Sequence, residues 1–526
     1  MWLDAAQYDW GKTMTTAYKG ASEDKEIRQY FRSARFSPSD IGKSAEILPL
    51  IERSQDLARN NGVASGAINT LVDNVVGTGL RVTYQPAYNV LGKSRQWAND
   101  VAKQVEELWR LYANSEDIDA ARQWNFDELT RLAYKSMLQN GEVFALPYWR
   151  KNTNADYKTA IRLIESDHVC NPNGRSDTKR LVHGVEINSL GAPVAYHFAK
   201  EYPATGRGVL TVSNSWTRVP VFNDIGRRKV IHYFTAMRPG QLRGHSFLST
   251  ILPRFQMLDK YENAELKAAV INSTIAIIVE TLSGASATEL SELMGLETGE
   301  DFVEYLANRP EATMKDGQAI ATMPGETVKS FDTKRPNAQF GEFTKNVMKH
   351  IATGLNMPVE LVEKDFRDST YSSVRSALLE AWRHFMVCRK QLVEKWAKPV
   401  FMLWLEEAVA QGRINGVTWD MFRQNRTAFS QMYWIGPGKG WIDPVKEAVA
   451  AEKRIQIGLS TQTEECAQQG LDFENVIEQQ IAEYQLKLKK CEEAGVDYAD
   501  VFGSEKERLQ RMDADINQQM SKEDTT

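Results

Sequence analysis

The chain has 526 residues, with 64 basic and 69 acidic side chains, and its formal net charge is −5 at neutral pH. A protein that grips nucleic acid by neutralising phosphates is usually basic, so this charge argues against tight DNA binding, although DNA could still pass nearby. Hydrophobic residues make up 42% and charged residues 25%, as in ordinary globular proteins, and the length allows two to four subdomains.

The cysteines and the N-terminal residues predict a soluble intracellular protein. The four cysteines are scattered without a CxxC pair, which is typical of buried thiols in a reducing compartment. The N-terminus lacks the basic and apolar regions of a secretory signal. The longest apolar stretch, residues 268–282, is interrupted by Asn272 and Glu280, so we expect no membrane span.

The N-terminal part of the chain predicts an arm followed by helices. Residues 1–44 are polar and poorly periodic, whereas helical periodicity begins near Ala45 and is disturbed at Asn60-Asn61-Gly62. The pair Gly77 and Gly79 should end this helical stretch. The next predicted elements are a strand at 80–86 and amphipathic helices at 94–112 and 125–139.

Residues 142–235 predict a β-rich region. Short runs of β-branched and aromatic residues alternate there with Asn, Gly and Asp, as in a series of hairpins. The predicted strands lie at 142–149, 160–166, 184–188, 192–199, 208–212, 217–222 and 229–234.

The middle of the chain predicts two helices that flank a small mixed section. The first helix should cover 246–273, after Pro239 and Gly240, and the second 337–356, before Met357-Pro358. Between them we expect a strand at 275–281, a helical insert at 287–308 and a hairpin-like pair at 317–323 and 327–331.

A charged loop precedes the longest predicted helix. Residues 371–411 would span about 60 Å as one helix, and Pro399 should kink it because its ring meets the carbonyl of Lys395. Two further helices are expected at 444–458 and 473–494, before a charged tail. The expected buried positions of the long helix are Val374, Leu378, Trp382, Phe385, Leu392, Trp396 and Leu403.

No catalytic motif is complete in the sequence. The segment Ala87–Ser94 ends in Gly-Lys-Ser, like a phosphate-binding P-loop, but it has alanine where that loop needs its first glycine. An NTPase that uses this segment remains an alternative. The histidines lack metal-ligand spacing and no GxSxG elbow is present, so we expect no catalytic residues, cofactor or metal.

Several blocks, in order along almost the whole chain, resemble the portal proteins of tailed bacteriophages, specifically the lambda-type family. One block contains an RPGQxRG turn before a long helix, and another contains the charged loop. The blocks are residues 53–82, 232–270, 323–328, 355–385, 404–409 and 435–461.

This resemblance implies a structural protein and not an enzyme. Its subunits would form a homo-oligomeric ring of about twelve at one capsid vertex, and double-stranded DNA would pass non-specifically through the ring during packaging and ejection. The implied partners are the large terminase subunit, the major capsid and scaffold proteins, and the head-completion or adaptor proteins. The protein would be assembled in the host cytoplasm and retained in the virion.

The implied fold class is α+β: a portal fold with a mixed α/β wing, a helical stem, a small β-containing clip, a long kinked helix and a helical crown. The expected ranges are an arm at 1–44, wing at 45–245, stem helices at 246–274 and 333–356, clip at 275–332, tunnel loop at 357–373, long kinked wing helix with its return segment at 374–443, crown at 444–503 and tail at 504–526.

Two groups of candidate site residues follow from this mapping. The tunnel-loop residues expected to face DNA are Glu360, Glu363, Lys364, Asp365, Arg367 and Asp368. The clip residues expected to dock the motor are Glu289, Glu292 and Glu304.

The charge of the loop fits a channel through which DNA slides. Its four acidic and two basic residues give a net charge of −2 per subunit. A strongly basic ring would clamp phosphate, whereas an acidic or mixed one repels DNA weakly and lets it slide. Two other interpretations stay open: a merely solvated loop, and a monomeric adaptor whose long helix packs in an ordinary core.

Overall fold

The protein has a mixed helix and sheet fold, in agreement with the predicted α+β class. The computed structural model describes residues 44–151, 154–200, 204–206, 209–211, 215–273, 277–281, 287–295, 297–298, 300, 303–304, 326–330, 340–367, 369–439 and 444–502. Residues 1–43 of the predicted N-terminal arm and the charged tail lie outside the described residues, and Ser44 already belongs to the first helix.

The first predicted helical stretch consists of two helices, α1 (Ser44–Asn60) and α2 (Gly62–Val75). They separate at Asn61, whose side-chain oxygen accepts a hydrogen bond from the Ala64 N–H at 3.0 Å. The predicted disturbance at this point is therefore a helix start with its own cap. Helix α2 ends just before Gly77, which has a φ of +60°, as the glycine pair predicted.

The next two helices begin and end close to their predicted positions because side-chain caps define them. Helix α3 (Arg95–Ala113) is capped by Ser94, and helix α4 (Phe126–Asn140) by Asn125 in a reciprocal capping box with Glu128. Gly141, with a φ of +90°, ends α4 and leads directly into the first long strand.

The β-rich region contains antiparallel sheets. One has the order β10-β2-β3, a second the order β4-β5-β6-β9, and a third pairs β7 with β8. The strands, with β1 from the preceding region, are β1 (Arg81–Tyr84), β2 (Glu142–Trp149), β3 (Thr159–Ile164), β4 (Leu181–Val182), β5 (Val185–Ile187), β6 (Pro193–Ala199), β7 (Ala204–Gly206), β8 (Val209–Thr211), β9 (Trp216–Pro220) and β10 (Ile231–Phe234).

Helix α5 (Leu252–Ser273) starts six residues later than expected. The preceding residues are held in turns instead: the Phe247 N–H donates to the Leu138 carbonyl at 2.9 Å, and the Ser246 hydroxyl donates to the same carbonyl. Pro253 is tolerated because it lies in the first turn of α5, where a missing N–H costs nothing.

The section after α5 contains a β-ladder and a short helix. Strand β11 (Ile277–Thr281) pairs antiparallel with β12 (Glu326–Ser330), and helix α6 (Ala287–Met294) lies between them in the chain. The predicted strand at 317–323 lies outside the described residues.

Helix α7 (Phe340–Gly354) runs antiparallel to α5. Tyr261 of α5 contacts Phe343 near the start of α7, with ring centroids 5.0 Å apart. At the other end, Gly354 packs so closely on Ile251 that an added Cβ would lie 2.4 Å from an Ile251 methyl group. The two helices thus form a hairpin-like pair closed by the β11-β12 section.

The long helix is continuous but changes its winding before Pro399. It comprises α9 (Tyr371–Leu392), a π turn (Val393–Ala397) and α10 (Lys398–Ala410), and a short helix, α8 (Val359–Glu363), precedes it. The Lys398 N–H donates to the Val393 carbonyl, five residues back. The wider π turn makes room for the ring of Pro399 next to the Lys395 carbonyl, and the kink expected at Pro399 stays a prediction.

Burial along the long helix increases towards its C-terminal half. Phe385, Leu392, Trp396 and Leu403 are buried as expected, whereas Val374, Leu378 and Trp382 are only half-buried. The predicted buried positions are therefore correct in the second half of the helix, whereas burial was overestimated in the half next to the charged loop.

An aromatic cluster forms the centre of the main core. Trp109 packs edge-on against Trp404 of α10, with centroids 5.2 Å apart, and against Phe401 at 5.0 Å. Two short helices, α11 (Trp419–Gln424) and α12 (Arg426–Phe429), follow α10. Strand β13 (Met432–Ile435) then returns to pair with β1, with Arg81 opposite Ile435.

The last described part is here called the C-terminal segment, residues 444–502. It contains α13 (Pro444–Gln456), α14 (Gln462–Gln468), α15 (Phe473–Ala494) and α16 (Tyr498–Phe502). Helices α13 and α15 match the two predicted helices closely, and α14 and α16 were not expected. Within this segment Cys491 is the buried residue among those described.

Candidate functional site

The predicted tunnel-loop residues belong to two different structures. Glu360 and Glu363 lie on helix α8, which corrects the expectation that they belong to a loop. The helix forms because Pro358 stands at its N-cap and Val362 packs into the main core. It ends at Lys364, which has a left-handed φ of +56°. What remains is here called the charged loop, residues 364–370.

An ion pair organises the charged loop. The Arg367 guanidinium donates to both carboxylate oxygens of Asp365, at 2.9 and 2.7 Å, and the Arg367 backbone N–H donates to Oδ1 at 3.1 Å. These bonds hold the pKa of Asp365 well below its usual value. Because the Arg367 side chain is 87% exposed, the pair is a solvated feature that shapes the loop and adds little stability. Asp368 lies outside the described residues.

Two lysines of helix α7 lie near the acidic residues of α8. Partial burial raises the pKa of Glu363; Asp365 and Glu360 raise it further, whereas Lys345 and Lys349 act in the opposite direction. Adding these two lysines to the two basic and four acidic loop candidates gives four charges of each sign. By this count the loop candidates and the two lysines carry balanced charges, which the local sequence did not indicate.

A helix cap fixes the point at which the charged loop ends and the long helix begins. Thr370 caps the long helix: its side chain accepts from the Ser373 N–H at 3.4 Å. Phe366 and Tyr371 flank this cap and are 43% and 57% exposed. The loop therefore presents aromatic rings as well as charges, although its sequence had indicated a polar loop.

Arg389 of α9 holds three parts of the chain together: the long helix, the end of α2 and the segment at Pro437. Its guanidinium donates to the carbonyls of Val75 at 3.0 Å, Asn74 at 2.8 Å and Pro437 at 2.9 Å. The contact leaves no room for a side chain at Gly436, where a Cβ would lie 2.6 Å from the Arg389 Nε. Burial lowers the pKa of Arg389 to about 10, so it stays charged at neutral pH. Sequence reasoning did not single out this residue.

A second buried arginine explains the RPGQxRG turn. Arg243 donates to Glu142 Oε1 at 2.6 Å and to the backbone carbonyls of Val169, His183 and Ser166. It therefore joins strand β2 to the loops that surround the sheets. The sequence motif at 238–244 therefore has a structural role, because its arginine holds β2 and the surrounding loops together.

Glu142 is fully buried and receives donors from several directions. The Gly244 N–H donates to its Oε2 at 2.9 Å, and His232 Nε2 lies 2.8 Å from the same oxygen. Burial alone would raise the pKa of Glu142, but Arg243 and His232 lower it to about 2. Gly244 is required here because a Cβ would lie 2.1 Å from the Gly141 carbonyl oxygen.

The predicted clip residues are exposed. Glu289 and Glu292 lie on helix α6, and Glu304 lies on a described helical fragment at 303–304. All three side chains face solvent, whereas much of the surrounding section lies outside the described residues. The structure does not bring these residues together with the charged loop in any described contact.

The residues of the P-loop-like segment have structural roles. The Ser94 hydroxyl accepts from the Trp97 N–H at 3.1 Å and caps α3, and the Lys93 ammonium lies 5.8 Å from the Trp97 ring centroid. Gly92, with a φ of +65°, allows the turn between them. These contacts give the segment a helix-capping role and disfavour the NTPase alternative.

The described ranges contain neither a candidate metal cluster nor a membrane-spanning helix. No group of three or more His, Cys, Asp or Glu side chains there could hold a metal ion. In the same part of the chain, no helix is both long and apolar enough to cross a membrane.

Comparison with known proteins identifies relatives over most of the chain. A family model described as "Phage portal protein, lambda family" matches residues 29–389. Portal protein B of Escherichia phage lambda is 28% identical over 467 residues, which cover 85% of this chain and 86% of that protein. The portal protein of Escherichia phage N15 is also 28% identical, with 85% of this chain and 87% of its own covered.

Solved structures similar to this chain come from gene transfer agent (GTA) particles. One, the neck of an empty GTA particle, is 13% identical, with a TM-score of 0.43, and covers 80% of this chain and 93% of its own. Another, from the virion of the native GTA particle, has the same TM-score at 12% identity, and covers 81% of this chain and 93% of its own.

The sequence relatives are structural portal proteins and not enzymes, as the resemblance had implied. The family model extends over well more than half of the 526 residues and includes helices α1 to α8, strands β1 to β12, the charged loop and Arg389. The chain therefore belongs to the lambda family of phage portal proteins.

Proposed function

We propose that this chain is the subunit of a ring of about twelve copies, which forms the DNA channel at one capsid vertex. The observation that carries the proposal is the family match over residues 29–389. DNA would pass through this channel during packaging and again during ejection. The ring would assemble in the host cytoplasm and remain in the virion as the connection between head and tail.

The arrangement of elements supports a division into portal subdomains. The antiparallel pair α5 and α7 would be the stem, and the β11-β12 section between them, within 275–332, would be the clip. The helices and sheets before α5, together with the long helix, would be the wing. The C-terminal segment would be the crown.

The exposed apolar surface of the C-terminal segment supports assembly with further copies. In proteins most of the stability of a helix comes from the packing of an apolar face, and Cys491 is the buried residue of α15 among those described. Neighbouring subunits of a ring would cover this surface. The exposed apolar side chains are Val445, Ile457, Leu459, Leu471, Ile477, Ile481, Tyr484, Leu486, Val496 and Val501.

The charged loop would line the narrow part of the channel. Its balance of charges, with Lys345 and Lys349 included, favours sliding because neither a phosphate clamp nor strong repulsion results. The exposed Phe366 and Tyr371 rings would add contacts that do not depend on DNA sequence.

The clip would dock the large terminase subunit, and head-completion proteins would replace this motor after packaging. The wing would contact the major capsid and scaffold proteins. Charge reversal at Glu289, Glu292 and Glu304 should weaken motor binding because all three are exposed. Reversal at the exposed Glu483 of α15 is the matched control and should leave binding unchanged. Loss of binding in the Glu483 variant alone would contradict the clip assignment.

Negative-stain imaging of the purified full-length protein tests the ring directly. We expect end-on views with a central hole. Images that contain only separate particles of subunit size, under all assembly conditions, would contradict the proposal.

A further inference from the structure

Within the described residues, the C-terminal segment touches the preceding region at two places: the Lys439 N–H donates to the Gln468 carbonyl at 3.2 Å, and the start of helix α15 makes the second contact. Asp472 caps this helix by accepting from the Asn475 N–H at 3.0 Å, and the Thr83 hydroxyl of β1 lies 3.5 Å from its other carboxylate oxygen. One turn further along, Glu478 accepts from Lys103 of α3 at 2.9 Å. The start of α15 thus lies against both α3 and β1.

Glu106 of α3 lies within this contact. Its Oε1 accepts from the Tyr84 N–H at 2.5 Å, which fixes the carboxyl group between α3 and β1. Burial raises the pKa of Glu106; the Tyr84 N–H lowers it, and Asp472 and Glu474 of α15 raise it, to about 7. A glutamate with this pKa changes its protonation near neutral pH, whereas an ordinary glutamate does so near pH 4.5.

The groups that surround Glu106 are mostly acidic. Helix α14 adds the Cys466 thiol, whose pKa is raised by burial and by Asp472, and β13 places Tyr433 opposite Thr83. Lys103, the basic group of this set, is bonded to Glu478. An ionised Glu106 would therefore face like charges with little compensation. The charged groups that act on Glu106 are Asp472 and Glu474 from α15, whereas Glu478, Glu474 and Glu107 act on Lys103.

We propose that this contact is a proton-dependent latch, which holds the C-terminal segment against α3 when Glu106 is protonated and loosens when Glu106 ionises. A protonated Glu106 still offers an oxygen to the Tyr84 N–H but no longer repels Asp472 and Glu474. The latch goes beyond the proposed portal function, because it needs only contacts within one chain.

The direction of the pH effect follows from proton linkage. In the docked state the pKa of Glu106 is about 7; without α15 the carboxyl group loses the repulsion of Asp472 and Glu474, so its pKa falls from this value towards the ordinary 4.5. Docking is therefore strongest at low pH, weakens as the pH rises through this window, and stays weak above it. Each pKa unit that docking contributes changes the docking equilibrium about tenfold.

Hydrogen–deuterium exchange of the full-length protein at pH 6 and pH 8, corrected for intrinsic rates, measures the latch. In the wild type, we expect peptides from α15 to open several-fold more often at pH 8. Glu106→Gln keeps the acceptor oxygen and removes the titration, so its α15 should be equally protected at both pH values. Glu107→Gln, at an exposed neighbour on the same helix, should behave like the wild type.

Two results would overturn the latch. One is equal protection of wild-type α15 at both pH values, and the other is an unchanged pH effect in Glu106→Gln. Protection of α2 in the same experiment reports whether a variant is folded. If Glu106→Gln fails this check, Glu474→Gln replaces it: removal of this exposed neighbour should reduce the pH effect, and an unreduced effect would count against the latch.

Discussion

The region before residue 440 and the C-terminal segment are stabilised in different ways. The first has an aromatic core around Trp109 and Trp404, and two buried arginines that join distant backbone segments. The second is almost all helix, yet Cys491 is its buried residue among those described. The difference indicates that the first region can hold its fold within one subunit, whereas the second depends on contacts outside itself.

The largest expected effect is on the buried ion pair of the first region. Arg243→Met leaves the fully buried Glu142 without its main cation, and breaking such a pair in this way costs about 3–5 kcal/mol. Denaturant unfolding of the purified protein measures the loss. Arg218→Met is the control: Arg218 and Glu186 form an exposed pair, worth at most about 1 kcal/mol. Equal losses in the two variants would contradict the structural role of Arg243.

A matched pair of truncations compares the two regions directly. Ile68→Ala removes a side chain that is 1% exposed and should cost about 2–5 kcal/mol in any oligomeric state. Ile481→Ala, at a site 52% exposed within one subunit, should cost only about 0.5 kcal/mol in the monomer and lower the stability of the assembled form. Thermal unfolding of separated monomer and oligomer measures both. A large loss for Ile481→Ala in the monomer would show that the segment has its own core.

Substitution of Arg389 tests how much its contacts between the long helix and the neighbouring backbone contribute to stability. Arg389→Met leaves three carbonyls without their donor, and an unsatisfied buried polar group costs about 1–3 kcal/mol. The same substitution at Arg383, exposed on the same helix, should change the unfolding midpoint very little. If the two variants unfold at the same denaturant concentration, these contacts contribute nothing to stability.

The smallest effect on stability is expected in the charged loop. Lysine substitutions at both Asp365 and Asp368 should change the unfolding free energy by about 0.5 kcal/mol or less, because the ion pair of Asp365 with the exposed Arg367 adds little stability. They should slow DNA packaging, since the surface becomes basic, and added salt should relieve the defect by screening. The measurement is an in vitro packaging assay at two salt concentrations, with Asp365→Asn and Asp368→Asn as a charge-removal control. Normal packaging at low salt would place the loop outside the channel.

Local signals in the sequence predicted much of the fold. Ser94, Asn125 and Gly141 define helix ends through contacts with their immediate neighbours, and those helices were predicted within one or two residues. The pairing of β1 with β13 was not predicted, because nothing within either short strand identifies a partner some 350 residues away. The turn before α5 was missed for a similar reason, since its hydrogen-bond acceptor is Leu138.

In the candidate site, too, contacts between near neighbours in the chain were predictable and long-range contacts were not. The ion pair of Asp365 and Arg367 joins near neighbours in the chain, and the charges of the loop were read correctly from the sequence. Lys345 and Lys349 reach Glu363 only through the packing of α7 on α8, so the balanced charge of the surface was not visible. Arg389 looked like any polar residue of a long helix, because its carbonyl partners come from the end of α2 and from the segment at Pro437, both distant in the sequence.

The mass of the native protein tests the central claim most directly. Native mass spectrometry of the full-length chain, whose subunit mass is 59.6 kDa, should give an assembly of about twelve copies. The same measurement on a chain ending at residue 443 should give a less stable assembly, because the C-terminal segment is expected to pack between subunits. A full-length protein that stays at one or two subunits under all assembly conditions would contradict the ring.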